Sequence, residues 1–464
     1  HGVRQHGVRQ HGVRQHGVRQ HGVRKTVKAE FPRASILEGI RFTAQIGAPN
    51  IIQGLFNKRE LPTRIASGLG ADHLGYRLVE GLVESHGPGP FYVRLATDEA
   101  LLVHHPDDLK FVLGGSPNPF ASDPEPKRKG MSAFQPDALT LSRGDLWAQR
   151  REFADAVLQP GSALHRQATS FVKVAADTAA GLVGGSVDWD TIDAAFQRMT
   201  RRVVFGDHAA DDTHLMELLG ELMSQGNKMP GEPGLQYPEM IEIIEGHLAR
   251  AEAGSLAAKI AKTPLPPGGA AGQVVHWLFA MGDSLGANTL RALAALATHP
   301  EQLREVRNEI AGADIGKAKG VASLKYLAGC LLEAMRLWPT TGLFARVASR
   351  DIEFPSGAVL PEGRQVLIYN LFNHRNRALI PYADKFSPGE WVSGGAPEDW
   401  SFNFMSHGPQ VCPGYGLSVF LGQAVMAHLI AAGSLSADDV GLSPGKPLPY
   451  SLDLYELKVR VTAQ

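Results

Sequence analysis

Two short stretches carry residue types that could do chemistry. In FAMGDSLGANTL (279–290), Asp283 and Ser284 place an acid beside a hydroxyl. A serine of this kind could attack an ester if a base and an oxyanion hole stood within reach. In FNFMSHGPQVCPGYGLSVFLG (402–422), Cys412 lies in a Gly-rich loop just before a helix, with Pro413 suited to the first turn. A thiol there meets the positive end of the helix dipole and the free N–H groups of Gly414 and Tyr415. Both favour thiolate, the form that ligates metal. Gly408 and Gly414 carry no side chain, so a large flat ligand can lie close to the backbone. Such a loop suits haem iron, where thiolate ligation favours O–O cleavage.

The esterase option fails on its surroundings. An esterase nucleophile usually sits on a strand-to-helix turn. Ser284 instead follows the almost wholly apolar run Val274–Met281 and precedes ANTLRALAALATHPEQLREV, which carries helical periodicity onward. The only Asp-x-x-His block, Asp211 to His214, lies upstream. Ser284 is therefore expected in mid-helix. A polar pair there costs free energy unless it is hydrogen-bonded or faces a wet cavity. Either Ser284 bonds back to a carbonyl one turn earlier while Asp283 pairs with a cation, or the pair relays protons beside a buried reaction centre.

The elements that must position these groups are mostly helical. Ser35–Asn57 and Pro62–Ser85 read as helices, and 91–115 as a hairpin passing into a helix. Residues 118–138 read as a long surface loop, rich in Pro, Ser and charge. Helical periodicity holds from Asp145 to Ala251, broken at 225–234, and resumes after 263–272 through Leu337. Residues 344–370 alternate like strands, a loop-rich stretch reaches Gly408, a helix covers 415–432, and 450–463 closes as strand. The fold class is mainly α with a minor β region, expected as a single large domain over 26–464.

Bulk properties set outer bounds. The chain has 464 residues and a formal charge of −1, which implies no general affinity for nucleic acid. Residues 1–25 are the repeat (HGVRQ)4-HGVRK. They hold six of the 46 basic side chains and no acid, so the rest carries 40 basic against 47 acidic. A five-residue period with a single Val per unit builds no core, and a low-complexity, disordered tail is expected. No signal peptide or membrane anchor is read, and a cytoplasmic location is expected. The two cysteines form no metal pattern with each other. Cys330 is expected to be a buried, inert thiol.

On the Cys412 loop the chain resembles the cytochrome P450 family, and the resemblance runs from about Gly89 to Val461. The family's Phe-x-x-Gly-x-Arg/His-x-Cys-x-Gly reads Met405-Ser406-His407-Gly408-Pro409-Gln410-Val411-Cys412-Pro413-Gly414 here. Its Glu-x-x-Arg reads Glu333-Ala334-Met335-Arg336, one turn apart, where acid and guanidinium can lock together. The resemblance implies a triangular-prism fold and haem b (iron protoporphyrin IX) ligated by Cys412. It implies that Trp147, Arg151, Arg346 and Gln410 reach the propionates. Asp283 and Ser284 would then be the acid–alcohol pair of the oxygen-activating helix. The alternative register, Asn288-Thr289, lacks the acid and leaves only about three turns before His299-Pro300.

Four positions depart from the pattern. Met405 replaces Phe, Gln410 replaces Arg or His, Met281 replaces Gly, and Glu390 stands where an Arg usually meets the Glu333–Arg336 pair. Glu390 would accept directly from Arg336, or Arg375 or Arg377 would compensate. His374 and His407 are read as structural.

The function implied is a monooxygenase that oxidises a hydrophobic small molecule, with electrons from a ferredoxin and its reductase. Direct use of hydrogen peroxide is the alternative, and the retained acid–hydroxyl pair favours the first. A haem-binding or sensor protein with degraded catalysis is the reading from another class. Leu215, Met216, Met223, Met281, Leu343, Phe344 and Leu448 are expected to line an apolar pocket.

Overall fold

The computed structural model describes residues 28–438 and 440–464, so the expectation for the repeat of residues 1–25 lies outside the described residues. The first helices run Ile36–Phe42, Ala48–Gln53, Glu60–Gly68 and Ala71–His86, the first capped by Ser35 in a reciprocal capping box with Glu38. Strands β1 (Phe91–Leu95) and β2 (Asp98–Val103) form the expected hairpin, and the helix Pro106–Gly114 follows.

The 344–370 alternation resolves into β5 (Leu343–Ala348), the short pair β6 (Ile352–Glu353) and β7 (Val359–Leu360), and β8 (Gln365–Tyr369). With β3 (Phe120–Ala121), the main sheet has the order β1-β2-β8-β5-β3. Only the β2–β8 pairing is parallel, and it joins segments about 265 residues apart, Ala100 facing Gln365. A second sheet sets β10 (Lys458–Ala463) between β4 (Ser186–Asp188) and β9 (Gly433–Ala437). Strands β4 and β9 were hidden at the ends of helical runs. The expected strand 450–463 shortens to β10, because Asp453 accepts the N–H of Tyr455 and turns the chain.

Residues 118–138 are not a surface loop. They hold β3 and a helix, Glu125–Met131, with Pro126 in its first turn. Ser122, Asp123 and Gln135 are buried. Burial of Asp123 is tolerated because Arg128 and Arg143 both pair with it.

The central helix organises the core. It runs Ala271–Phe279, widens into a π-turn at Ala280–Ser284, and continues as Leu285–Thr298. Val274, Val275 and Leu278 are fully buried, and so are Ala292, Ala294 and Ala295 in the second half. Alanine loses no side-chain entropy in a helix and lets neighbours approach closely. The helix stops at His299, because Pro300 cannot donate to the next turn. It packs against the helices Trp189–Phe205, Lys325–Leu337 and Tyr415–Ala432. The last is long and apolar enough to cross a membrane, yet 67% of it is buried inside the protein, as in a core helix.

Candidate functional site

Cys412 is held by its loop. Its N–H donates to the Met405 carbonyl at 2.8 Å, and Gly408 takes φ 76°, a left-handed conformation that favours glycine. A Cβ on Gly408 would come within 2.6 Å of the Leu113 carbonyl, so only glycine fits. The Tyr415–Ala432 helix starts immediately after. Burial pushes the Cys412 thiol up, while the Gly414 N–H and the Arg151 guanidinium pull it down. Arg151 sits against this loop, donating from Nη1 to the Val411 carbonyl at 2.6 Å and from Nε to Asp155 at 2.9 Å. Trp147, one turn earlier, is half-buried. The side chain of Cys412 is nonetheless half-open, so its surface faces an internal space.

Two buried cations stand beside that space without carboxylates. Arg346, on β5, donates from Nε to Ser116 Oγ at 3.3 Å and from Nη1 to its neighbour's carbonyl at 3.0 Å. Burial alone holds it down to about 10. Lys127 donates to the Ser122 carbonyl at 2.9 Å and to Thr140 Oγ1. Burial, with a further push from Arg346, holds it down to about 7. Gln410 joins them through Ser122 Oγ at 2.9 Å, and its Oε1 is buried without a partner. Among the described residues neither cation has an ion pair. An uncompensated buried charge costs several kcal/mol, roughly 3–5 where a partner is missing. A flat ligand bearing two carboxylates and taking a thiolate supplies what is lacking, so the residues present fit haem. Lys127 was missed by the sequence reading because PEPKRKG looks like a solvated charge run.

This arrangement carries a prediction. Lys127→Met should raise the thermal midpoint of the haem-free protein by removing a lone buried charge, and should speed haem release from the loaded protein about tenfold, near 1.4 kcal/mol. Unfolding scans of both forms and haem transfer to an acceptor protein check it. An unchanged release rate would remove Lys127 from the site.

The π-turn of the central helix holds Asp283 and Ser284. Neither bland option for them is realised. Ser284 Oγ makes no hydrogen bond among the described residues, whereas Thr200, Ser116 and Thr298 do bond back one turn. Asp283 faces no cation. Its Oδ1 accepts from Gln197 Nε2 at 3.2 Å, and the same amide donates to both Asp193 oxygens at 3.1 Å. Burial first, and then the charge of Asp193 and the hydrogen bond donated to it, together push Asp283 up to about 7. Gly282 lets the Trp189–Phe205 helix close on the turn; a Cβ there would lie 3.5 Å from Gln197. Asp193 and Gln197 carry no motif and were invisible in the sequence. Asp211 and His214 lie elsewhere, with His214 paired to Glu239, so Ser284 has no esterase base.

Glu333 and Arg336 form the expected pair, both fully buried. Arg336 donates from Nε to Glu333 Oε1 at 2.5 Å and from Nη2 to Oε2 at 2.8 Å. Its remaining donors reach the carbonyls of His374, Ala383 and Lys385. The compensation expected from Glu390, Arg375 or Arg377 is not what is found. Arg375 pairs with Asp384 and Arg377 with Glu80, and Trp391 Nε1 and the Ser387 N–H complete Glu333. A neutral indole satisfies the acid without adding a charge to a dry interior. Arg336→Leu would strand Glu333 and should cost about 3–5 kcal/mol, read as loss of soluble protein or a collapsed denaturation midpoint. His374 is structural: its Nδ1 faces the Arg336 carbonyl, and its Nε2 accepts the Asn403 N–H. His407 bonds Asn403 and packs on Trp400. Cys330 is buried, and burial raises its thiol.

The apolar residues divide. Leu343 and Phe344 are half-open at the start of β5, whereas Leu215, Met216, Met223, Met281 and Leu448 are closed into cores. Leu448 is a correction: its backbone bonds Asp384 and Arg375, behind the end of the Lys325–Leu337 helix. The Met216 and Met223 spacing serves core packing, as a helical Met stripe commonly does.

The cytochrome P450 family model matches residues 276–441, which span the π-turn, the Glu333–Arg336 pair, Arg346 and the Cys412 loop. A cyclooctat-9-en-7-ol 5-monooxygenase from Streptomyces melanosporofaciens is 24% identical over 343 residues, 66% of this chain and 73% of that protein. Cytochrome P450 4A22 from Homo sapiens is 30% identical over 147 residues, 31% of this chain and 28% of its own length. Cytochrome P450 4A24 from Sus scrofa is 31% identical over 149 residues, 31% of this chain and 29% of its own. The chain thus spans under a third of the two mammalian relatives. With the helical fold, the ordered motifs and these matches together, the chain is similar to the cytochrome P450 family, whose model matches residues 276–441 and whose members are oxidoreductases that bind haem through a cysteine thiolate.

Proposed function

We propose that this chain is a haem-thiolate monooxygenase that inserts one oxygen atom of O2 into a hydrophobic small molecule. The carrying observation is the half-open Cys412 beside two buried cations that lack carboxylates. Bound through Cys412, haem b supplies an iron centre that activates oxygen, with thiolate electron density favouring O–O cleavage.

The chain's own residues do the rest. Arg346, Lys127 and Gln410 take the two propionates, and Arg151 fixes the Cys412 loop. Gly408 and Gly414 allow close approach of a flat ligand. Asp283 holds a proton near neutral pH and hands it toward the open Ser284 hydroxyl. Asp193 and Gln197, both half-buried, return protons to Asp283 from the surface side. Leu343 and Phe344 give the space an apolar wall. The Streptomyces relative is named for oxidising cyclooctat-9-en-7-ol, which supports a hydrophobic substrate class.

Electrons come from a ferredoxin and its reductase, in a cytoplasmic setting. The acid–hydroxyl pair favours O2 over peroxide, since a peroxide-driven reaction needs no such relay. Reconstitution with ferredoxin, reductase and a panel of apolar substrates should give oxygenated product. Product formed with hydrogen peroxide alone would turn the reading to the peroxygenase. Haem binding with neither activity would turn it to the sensor.

A further inference from the structure

The Ser284 face of the central helix continues into a second polar cluster that oxygen chemistry does not use. At 100° per residue, Ser284, Asn288 and Arg291 fall on one stripe. Gly286 meets the Trp189–Phe205 helix, and Thr289 meets Gly422, so this stripe is turned from both. Asn288 Oδ1 and Arg291 Nε are buried without partners. Arg291 makes one hydrogen bond, Nη1 to the Trp338 carbonyl at 3.1 Å, where the chain enters the loop leading to Leu343 and Phe344. Seven residues at 1.5 Å each set it about 10 Å along the helix from Ser284.

Lys58 and Asp72 share this neighbourhood. Each feels Arg291 and the other, and Asp72 is felt by Tyr369, the partner of Leu343 in the β5–β8 register. The Ala71–His86 helix crosses directly over that tyrosine: a Cβ on Gly75 would lie 2.5 Å from its hydroxyl. Among the described residues, neither Lys58 nor Asp72 makes a side-chain hydrogen bond or ion pair. Two cations and an acid thus lie within electrostatic reach of one another without pairing, with surface still open on each. The segment between Lys58 and Asp72 presents Leu61 and Leu69 to solvent at 68% and 73% exposure, apolar surface beside the cluster.

We propose that Arg291 and Lys58 form a subsite for the carboxylate of an otherwise apolar substrate, anchoring it about 10 Å from the oxygen-reactive position beside Ser284. The inference deepens, and rests on, the monooxygenase reading. The cluster selects an anion because burial acts unequally on its members. A desolvated carboxyl neutralises by holding a proton, and burial does raise Asp72. A guanidinium keeps its charge even where burial lowers it, here to about 10. Protonated Asp72 then donates to the bound carboxylate. Asp453, the other acid near Arg291, is occupied by the Tyr455 N–H and Arg64.

The test titrates the holoenzyme with dodecanoate and with 1-dodecanol, reading calorimetric affinity and the Soret band together. Dodecanoate should bind at least tenfold more tightly than the alcohol. Arg291→Met should erase that preference without changing dodecanol binding, and Arg291→Lys should restore part of it. Equal affinities in the parent protein, or equal losses for both ligands in the variant, would overturn the subsite. Should Arg291→Met fail to fold, Lys58→Met in the connecting segment replaces it, with a loss of threefold or more expected for dodecanoate alone; no loss there also overturns it. Calorimetry reports the anion preference whether or not the Soret band is that of a haem thiolate, so failure of the subsite and failure of the haem reading give different results.

Discussion

Cys412→Ala should yield a folded protein without a thiolate-bound haem. The wild-type protein, reduced by dithionite under carbon monoxide, should show a strongly red-shifted Soret band, and the variant should show none. The loop should survive the change, because its anchors are backbone groups: the Cys412 N–H on the Met405 carbonyl, the Tyr415 N–H on the Cys412 carbonyl, and the left-handed Gly408. A lost band with an unchanged far-ultraviolet spectrum therefore separates ligation from folding. The cations Arg346 and Lys127 remain, so residual haem can still associate through its carboxylates, but without axial sulfur and without activity. A Soret band typical of histidine ligation that ignores the substitution would sink the assignment, and His374, whose two ring nitrogens are already engaged, offers no such ligand.

Asp283→Asn should lower turnover with O2 by about 10²–10³, within the range removed when a positioned proton donor is lost. Burial and the neighbouring Asp193 push Asp283 up to about 7, so wild-type turnover should decline as pH rises through 7 while the variant stays low and flat. The substitution should act oppositely on stability, which in the parent also falls with rising pH. The native carboxyl holds a proton that the unfolded one loses near its ordinary value of 3.8, so between about 4 and 7 the native state binds more protons. Stability then falls as pH rises through that window. The asparagine removes this dependence, and the variant should melt higher than the parent at pH 8. A variant that keeps wild-type turnover, or one less stable than the parent at pH 8, would contradict the shared-proton arrangement of Asp193 and Asp283. Hydrogen peroxide should partly rescue its turnover, since that oxidant brings its own protons.

The sequence was read furthest where the chemistry is local. Cys412 with Gly408 and Gly414, and Glu333 with Arg336, lie within ten residues or one helical turn, so spacing alone reveals them. The same holds for the central helix, whose apolar run and Pro300 stop fix its extent, and for the Asp283–Ser284 register, which the π-turn at Ala280–Ser284 accompanies. Strands β3, β4, β6 and β7, of two or three residues, are too short for period-two alternation to show, and β9 follows directly on the apolar helix Tyr415–Ala432. The surface-loop reading of 118–138 failed because composition counts charges but not their pairing, here of Arg128 within the segment and Arg143 beyond it with the buried Asp123.

By itself, then, the sequence determined the mainly helical fold, the cysteine loop, the buried acid–guanidinium pair and the acid beside a hydroxyl in mid-helix. Only the tertiary structure decided what surrounds them. It brought Lys127 to Arg346, Trp391 to Glu333, Asp193 and Gln197 to Asp283, and Lys58 and Asp72 to Arg291. These partners are 58 to more than 200 positions apart in the chain, and most carry no motif. Their effect comes from desolvation and field, and both depend on what is packed within a few ångströms, a quantity that no pattern along the chain encodes.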